Sequence, residues 1–284
     1  LVNFEEKYFL LDCGEGTQLQ LRRFGIKFQR IDHVFITHLH GDHCLGLPGL
    51  LSTLHLLGRT KAMHIHAHPS LQEATEVQLR ISHSKLRFAL VWHPLQYDAP
   101  ATVFENKTLV VQSIPLNHRI PTCGFLFREK PKPLNVRPEC IEQYGLSVAR
   151  IRQIKAGADF TLPNGTLIPN AQLTKPAAPS RSYAFITDTA PHPHLAKAIH
   201  GVDLLYHEST FLERDAARAA ETWHSTARQA AQVAADASAR RLMLGHFSAR
   251  YRTTDAFADE AAEVFKPVVL AYEGLTIAVA PVEK

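Results

Sequence analysis

Thr37-His38-Leu39-His40-Gly41-Asp42-His43 puts three imidazoles and a carboxylate within six residues. The stretch follows an apolar run at residues 34–36 and precedes a segment rich in Leu and Gly. The run has strand length and the segment at residues 45–57 reads as a helix, so the cluster sits at a strand-to-helix junction. His38 and His40 are two residues apart and point the same way from an extended backbone. Asp42 and His43 lie on the turn beyond and can reach a second ion. Nitrogen and carboxylate donors packed this densely suit a borderline metal such as zinc.

The same rhythm recurs along the chain. Apolar runs at residues 8–11, 109–115, 183–186, 204–206 and 241–244 each end on polar residues: Asp12, His118, Asp188, His207-Glu208 and His246. Helical stretches at residues 225–239 and 254–265 alternate with them. Chemistry delivered at strand ends is how an α/β scaffold assembles a site from distant sequence. A two-metal site needs a bridging carboxylate and further imidazoles beyond the first cluster. His118, Asp188 and His246 supply them. Residues 1–12 read as strand, turn and strand, and the first residue is Leu1, so an N-terminal segment is expected to be missing.

Composition agrees with a metal enzyme and excludes several classes. The 284 residues include 17 His, and 45% are hydrophobic, which is incompatible with a disordered chain. No stretch approaches the roughly 18 consecutive apolar residues of a membrane span. A formal charge of +4 is too mild to imply nucleic acid by itself. Cys13, Cys44, Cys123 and Cys140 form no C-x-x-C pair, and no signal peptide is visible, which points to a reducing compartment.

Residues 128–179 are the most irregular part, with seven of the 17 prolines. Between residues 128 and 175, eight basic residues face four acids. The segment reads either as a surface insertion or as an arm that contacts an anionic ligand. His64-Ile65-His66-Ala67-His68 lacks an accompanying carboxylate and is expected to be the polar face of an ordinary strand. His192 and His194 read as loop residues, Cys44 as packing, and Asp12 as a hydrogen-bonding anchor for the metal loops. Ser248 and Arg250 follow the last His and are candidates to hold a phosphate.

The order His-x-His-x-Asp-His, later His, later Asp and last His resembles the metallo-β-lactamase superfamily. Leu11-Asp12-Cys13-Gly14-Glu15-Gly16-Thr17-Gln18-Leu19-Gln20 is more specific and resembles the signature of the ribonuclease Z family. Pro115-Leu116-Asn117-His118, Ile186-Thr187-Asp188-Thr189, His207-Glu208-Ser209-Thr210, His224-Ser225-Thr226 and Gly245-His246-Phe247-Ser248 match that family in order, across essentially the whole chain. Two departures stand out. Most members carry a further strand and a Gly-Ser-rich turn before the point where this chain begins. Many bacterial members carry Pro-Pro-Gly-Pro in the arm, where this chain has Gly145-Leu146-Ser147-Val148-Ala149-Arg150.

The resemblance implies an α+β fold, a four-layer αββα sandwich forming one domain over residues 1–284, with a protruding tRNA-binding arm at 128–174. It implies two zinc ions, with manganese as the alternative. His38, His40 and His118 would hold one ion, Asp42, His43 and His246 the other, and Asp188 would bridge them. Asp42 would also take the proton of the attacking water, and Glu208 would orient His224 as the acid for the leaving 3′ oxygen. Arg137, Arg150, Arg152 and Lys155 would contact backbone phosphates of precursor tRNA, with Ser248 and Arg250 beside the centre. The implied products are a tRNA with a 3′-hydroxyl and a trailer with a 5′-phosphate. A cytoplasmic homodimer is implied in the same way. The rivals are a small-molecule phosphodiesterase, a thioester or lactam hydrolase on the same fold, and an RNA-binding protein without catalysis.

Overall fold

The computed structural model describes residues 1–280. The first sheet carries β1 (Val2–Phe4), β2 (Lys7–Leu11), β3 (Ile31–Phe35), β4 (Met63–Ala67) and β5 (Leu90–Pro94), in that spatial order. β1 and β2 form a hairpin, and β2 to β5 run parallel. The second sheet begins with the antiparallel strands β6 (Ala101–Glu105), β7 (Leu109–Pro115) and β8 (Cys123–Glu129). Four short strands interrupt it: β9 (Asn135–Val136), β10 (Phe160–Thr161), β11 (Leu167–Ile168) and β12 (Thr174–Lys175). It resumes with β13 (Ser182–Ile186), and β14 (Leu204–Glu208), β15 (Leu242–Gly245) and β16 (Val268–Leu270) continue parallel to it.

Three apolar layers explain the stacking. Val34, Ile36 and Ile65 face one way from the first sheet, onto Leu47, Leu50, Leu54 and Leu71 of the helices Leu47–Leu56 and Pro69–Ile81. Ala184, Leu205 and Leu244 do the same from the second sheet, onto the helices Ala227–Asp236 and Asp255–Ala262. Phe9, Phe35, Phe125 and Phe127 fill the space between the sheets, with Phe35 and Phe125 rings 5.1 Å apart. Helix, sheet, sheet and helix therefore follow in turn, as expected. Alanines 227, 230, 231 and 234, all buried, occupy one face at helical spacing and let their helix lie close to the sheet.

One segment is more ordered than its composition suggests. The region between Glu129 and Ser182 folds around its own small core of Val136, Cys140, Leu146, Ile154 and Leu173. Its base is closed by the β9–β12 ribbon. Arg128 pairs with Ser182 inside the second sheet, so the insertion starts after β8, not at residue 128. The helix expected at 45–57 is present as Leu47–Leu56. A short helix, Gly41–Cys44, precedes Leu47–Leu56, and Asp42 and His43 sit in its turn. Among the described residues no helix is long and apolar enough to cross a membrane.

Candidate metal centre

Parallel strands aim their C-terminal ends at one rim, and the site is built there. β2 delivers Asp12, β3 delivers Thr37 and His38, β13 delivers Asp188, β14 ends on Glu208, and β15 is followed by His246. His118 follows β7 from the same sheet.

The imidazoles fall into two sets. His38 Nε2 lies 3.0 Å from His40 Nδ1, and His118 Nε2 lies 3.3 Å from that same atom. Asp188 Oδ2 completes the set at 3.6 Å from His38 Nε2 and 4.0 Å from His118 Nε2. Its other oxygen, Oδ1, stands 3.5 Å from His43 Nε2 and 3.4 Å from His246 Nε2. Asp42 Oδ2 is 3.3 and 3.7 Å from those two nitrogens. Donors about 2.0–2.1 Å from a tetrahedral zinc are roughly 3.3 Å apart, so both sets have the span of a metal polyhedron. His43 Nε2 is buried without a hydrogen-bond partner, an orphan that a metal ion would satisfy. Two zinc ions fit this donor set.

The opposite ring nitrogens of His38, His43, His118 and His246 are held by the protein, which fixes the orientation of these rings. Asp12 Oδ2 sits 2.8 Å from His43 Nδ1, and its Oδ1 accepts from the Thr37 amide at 2.8 Å. Thr37 Oγ1 is 3.0 Å from His38 Nδ1. His118 Nδ1 donates to the Trp223 carbonyl at 2.9 Å, and Thr210 Oγ1 lies 2.9 Å from His246 Nδ1. Asp12 thus has the anchoring place expected of it. Thr37, Thr210 and the Trp223 carbonyl were not legible as parts of the site. Thr210 lies in the quoted His-Glu-Ser-Thr motif, but nothing in the motif shows which ring it holds.

Electrostatics separate the two sets. Burial and the neighbouring His43 lower the His38 imidazole to about 3, which keeps it neutral and ready to donate. Burial also disfavours a charged His246, yet Asp42 and Asp188 outweigh it and raise the ring to about 9. A metal entering the second set must displace that proton. Burial would raise Asp188, but His246, His43 and His38 hold its carboxyl well below the usual range. His246 and then His43 pull the exposed Asp42 carboxyl down to about 2 against a smaller opposing effect of desolvation.

Glu208 and His224 form a separate pair beside the two sets. Glu208 is fully buried, and its Oε1 accepts from Thr189 N at 3.1 Å, Ser225 N at 2.9 Å and His224 Nδ1 at 3.0 Å. Oε2 accepts from the Thr210 amide and hydroxyl at 2.8 and 2.9 Å. Burial opposes ionisation, but the bond from His224 prevails and the carboxyl titrates below its ordinary value. With Nδ1 engaged, His224 keeps one free nitrogen. A ring nitrogen of His224 lies within 4.8 Å of the donor atoms of Asp188 and His246. Thr226 caps the helix that follows, with the reciprocal Gln229 contact of a capping box, and so fixes the backbone beyond His224.

The remaining candidates are placed elsewhere or tied down. Arg150, Arg152 and Lys155 lie on the helix Val148–Lys155 of the insertion. Arg137 donates to the Thr174 carbonyl at 3.1 Å across the base of that unit. Ser248 follows His246 by two residues, its amide bonded to Thr210 O at 3.1 Å. Arg250 packs 4.9 Å over the Phe211 ring and 3.9 Å from Asp215. Cys44 is buried, as expected of a packing residue. The His64–His66–His68 stretch departs from expectation: His66 is 1% exposed and faces the other sheet, not solvent. No third metal-type cluster outside the rim is found there among the described residues.

Residues 173–247 match the family described as beta-lactamase superfamily domain, and residues 1–130 match the family described as anti-Pycsar protein Apyc1. Ribonuclease Z of Parabacteroides distasonis is 47% identical over 279 residues, 98% of this chain and 92% of that protein. Ribonuclease Z of Bacteroides thetaiotaomicron is 46% identical over 98% of this chain and 88% of its own length. Among solved structures, the short form of human tRNase Z superposes with a TM-score of 0.71 at 28% identity, covering 98% of this chain and 91% of that one. A diphosphatase of the PhnP family superposes with a TM-score of 0.60 at 17% identity, over 98% and 82%, which bears on the fold alone.

Proposed function

The chain belongs to the ribonuclease Z family, and on that premise we propose that it is a zinc-dependent endoribonuclease removing the 3′ trailer from precursor tRNA. The observation that carries the reading is Asp188, whose two oxygens face two separate imidazole sets at 3.4–4.0 Å while the Glu208–His224 pair stands beside them. His38, His40 and His118 would hold one zinc and Asp42, His43 and His246 the other, with Asp188 shared between the two sets. The bound metals would supply polarisation of the phosphoryl oxygens and a water that is nucleophilic at neutral pH.

The protein's own groups do the rest. Asp42, held ionised by the imidazoles beside it, accepts the proton of the attacking water. His224, oriented through Nδ1 by Glu208, donates a proton from its other nitrogen to the departing 3′ oxygen. The products are a tRNA body ending in a 3′-hydroxyl and a trailer with a 5′-phosphate. Arg150, Arg152, Lys155 and Arg137 on the insertion contact tRNA phosphates, and Ser248 and Arg250 approach the phosphates near the centre. Manganese is the alternative metal, and the proposed setting is a homodimer in the cytoplasm.

Trailer release from a labelled precursor tRNA, measured with metal content, tests this. Asp188→Ala should lose both activity and zinc. His224→Ala should keep its zinc and cleave about 10²-fold more slowly or worse, the scale of a positioned acid. Zinc lost stoichiometrically from His224→Ala would make that residue a ligand and remove its role as acid.

A further inference from the structure

Trp223 immediately precedes His224 and closes the helix Ala216–Thr222 in a left-handed conformation, φ 61° and ψ 48°. That position is most often glycine, because a Cβ there is strained. Here it carries the largest side chain available, and the residue is 41% exposed. Its backbone is needed where it is, since the Trp223 carbonyl accepts from His118 Nδ1. The indole itself answers none of these needs. A cleft of about 340 Å³ opens beside it, lined by Trp223, His224, Asn117, Gln229, Pro191 and Ala220 among others. The cleft therefore has an aromatic wall, two amides, and the imidazole of the pair that faces the reaction.

We propose that this cleft receives the nucleobase immediately 5′ of the scissile phosphodiester, stacked on the Trp223 indole. The assignment rests on the ribonuclease Z reading above, because it takes its polarity from His224. The oxygen that His224 protonates is the 3′ oxygen of that nucleotide, so its base lies in the cleft next to the imidazole. An indole face binds any base, since every base offers a π-face, and such stacking tolerates sequence. Asn117 and the amide nitrogen of Gln229, whose oxygen is engaged by the Thr226 amide, can then meet the edge of the base. The cleft thus serves a nucleotide that differs from one tRNA to the next. It also pins the ribose whose oxygen must leave.

The test pairs an enzyme variant with a substrate variant. Trp223→Asn removes the ring and keeps a residue that tolerates the left-handed conformation. With precursor tRNA it should raise KM roughly 5- to 150-fold, the factor equivalent to stacking one base. Trp223→Phe should recover most of that loss. A precursor lacking only the base 5′ of the cleavage point should show the same loss with the unaltered enzyme, and no further loss with Trp223→Asn. Equal losses for Trp223→Asn and Trp223→Phe, or independent losses on the intact and abasic precursors, would overturn the proposal. A second measurement leaves Trp223 untouched. The chain has two tryptophans, so Trp92→Phe makes Trp223 the sole emitter. Its fluorescence should be quenched by the intact precursor and not by the abasic one; equal quenching would overturn the assignment. Failure of the unaltered enzyme to cleave any precursor tRNA would instead remove the ribonuclease Z reading, and this proposal with it.

Discussion

At the scale of single residues, the donors of the two sets were legible because their chemistry is carried by side-chain type and by position at strand ends. His38, His40, His118, Asp188 and His246 needed no knowledge of packing to be singled out. The groups that hold them did, because a threonine or a carbonyl acquires its partner only on folding. Strain marks the same places: Asp12, Trp223 and His246 are non-glycine residues at positive φ, and all three touch the site. Backbone strain of this kind persists where the surroundings over-determine it. Gly14 is the clearest case of a residue whose role is steric. A Cβ on Gly14 would lie 2.0 Å from the Asp42 carbonyl oxygen, and the Gly14 carbonyl itself abuts Gly46. Cys13 N also bonds to the His43 carbonyl at 2.8 Å, so this loop is the floor under Asp42 and His43. Gly14→Ala should therefore push the second ligand set out of register and lower metal affinity about 10- to 100-fold, as loss of a supporting contact does. Titration of the metal-free protein with zinc would show it, and unchanged binding of two ions would mean that the loop yields without moving Asp42.

At the scale of elements, strand ends and the alanine helix were readable from periodicity, whereas the face each strand presents was not. His33 on β3, His64 and His66 on β4, and His93 on β5 share the inner face of the first sheet. Phe35 stacks on His66 at 4.2 Å, and His66 on His93 at 4.3 Å. His33 Nδ1 lies 3.1 Å from His66 Nε2, and His64 Nδ1 lies 2.9 Å from His93 Nε2. Alternation alone read His64 and His66 as the polar face of an ordinary strand, because nothing in the sequence announces that a second sheet covers them. Burial, and then the neighbouring imidazoles, lower His66 to about 2 and His33 to about 4. Asp32 and Lys61 act on His33 in opposite directions. The unfolded chain binds protons at these groups below about pH 6.5 while the folded one does not. Stability should therefore be complete above that pH and fall as the pH drops toward 4, by at most about 1.4 kcal/mol per pH unit for each group. His66→Phe keeps the stack and removes one titration, so its stability should decline less steeply over that window. Parallel melting curves for the two proteins from pH 7.5 to 4.5 would show that the acid sensitivity arises elsewhere.

At the scale of the whole molecule, a rim loaded with metal would cleave whatever phosphodiester reaches it, so selection of a large RNA would require contacts away from the scissile bond. The insertion after β8 is built for separation from the scaffold. It has its own core, and its two stems run side by side, with Glu129 N bonded to Arg181 O at 2.9 Å. Proline content disguised this order in the sequence, since Pro138 starts one of its helices and does not break it. The exposed Arg150 and Arg152 lie on the helix Val148–Lys155 with Lys155, whereas Arg137 is engaged at the base. Phosphate contacts of this kind give affinity that weakens with salt by about 0.7–0.9 log units per neutralised phosphate for each decade of salt. Replacing residues 131–179 with a short Gly-Ser linker joins stems that are already adjacent, so the scaffold should fold and keep its metals. It should hydrolyse a small phosphodiester at nearly the original rate, bind precursor tRNA more weakly, and show a shallower salt slope. Changing Arg150, Arg152 and Lys155 together to Gln should reproduce the flattening with the insertion in place. A salt slope unchanged in both proteins would assign tRNA selection to the rim itself, where Ser248 and Arg250 are the remaining candidates, and would leave the insertion without a part in recognition.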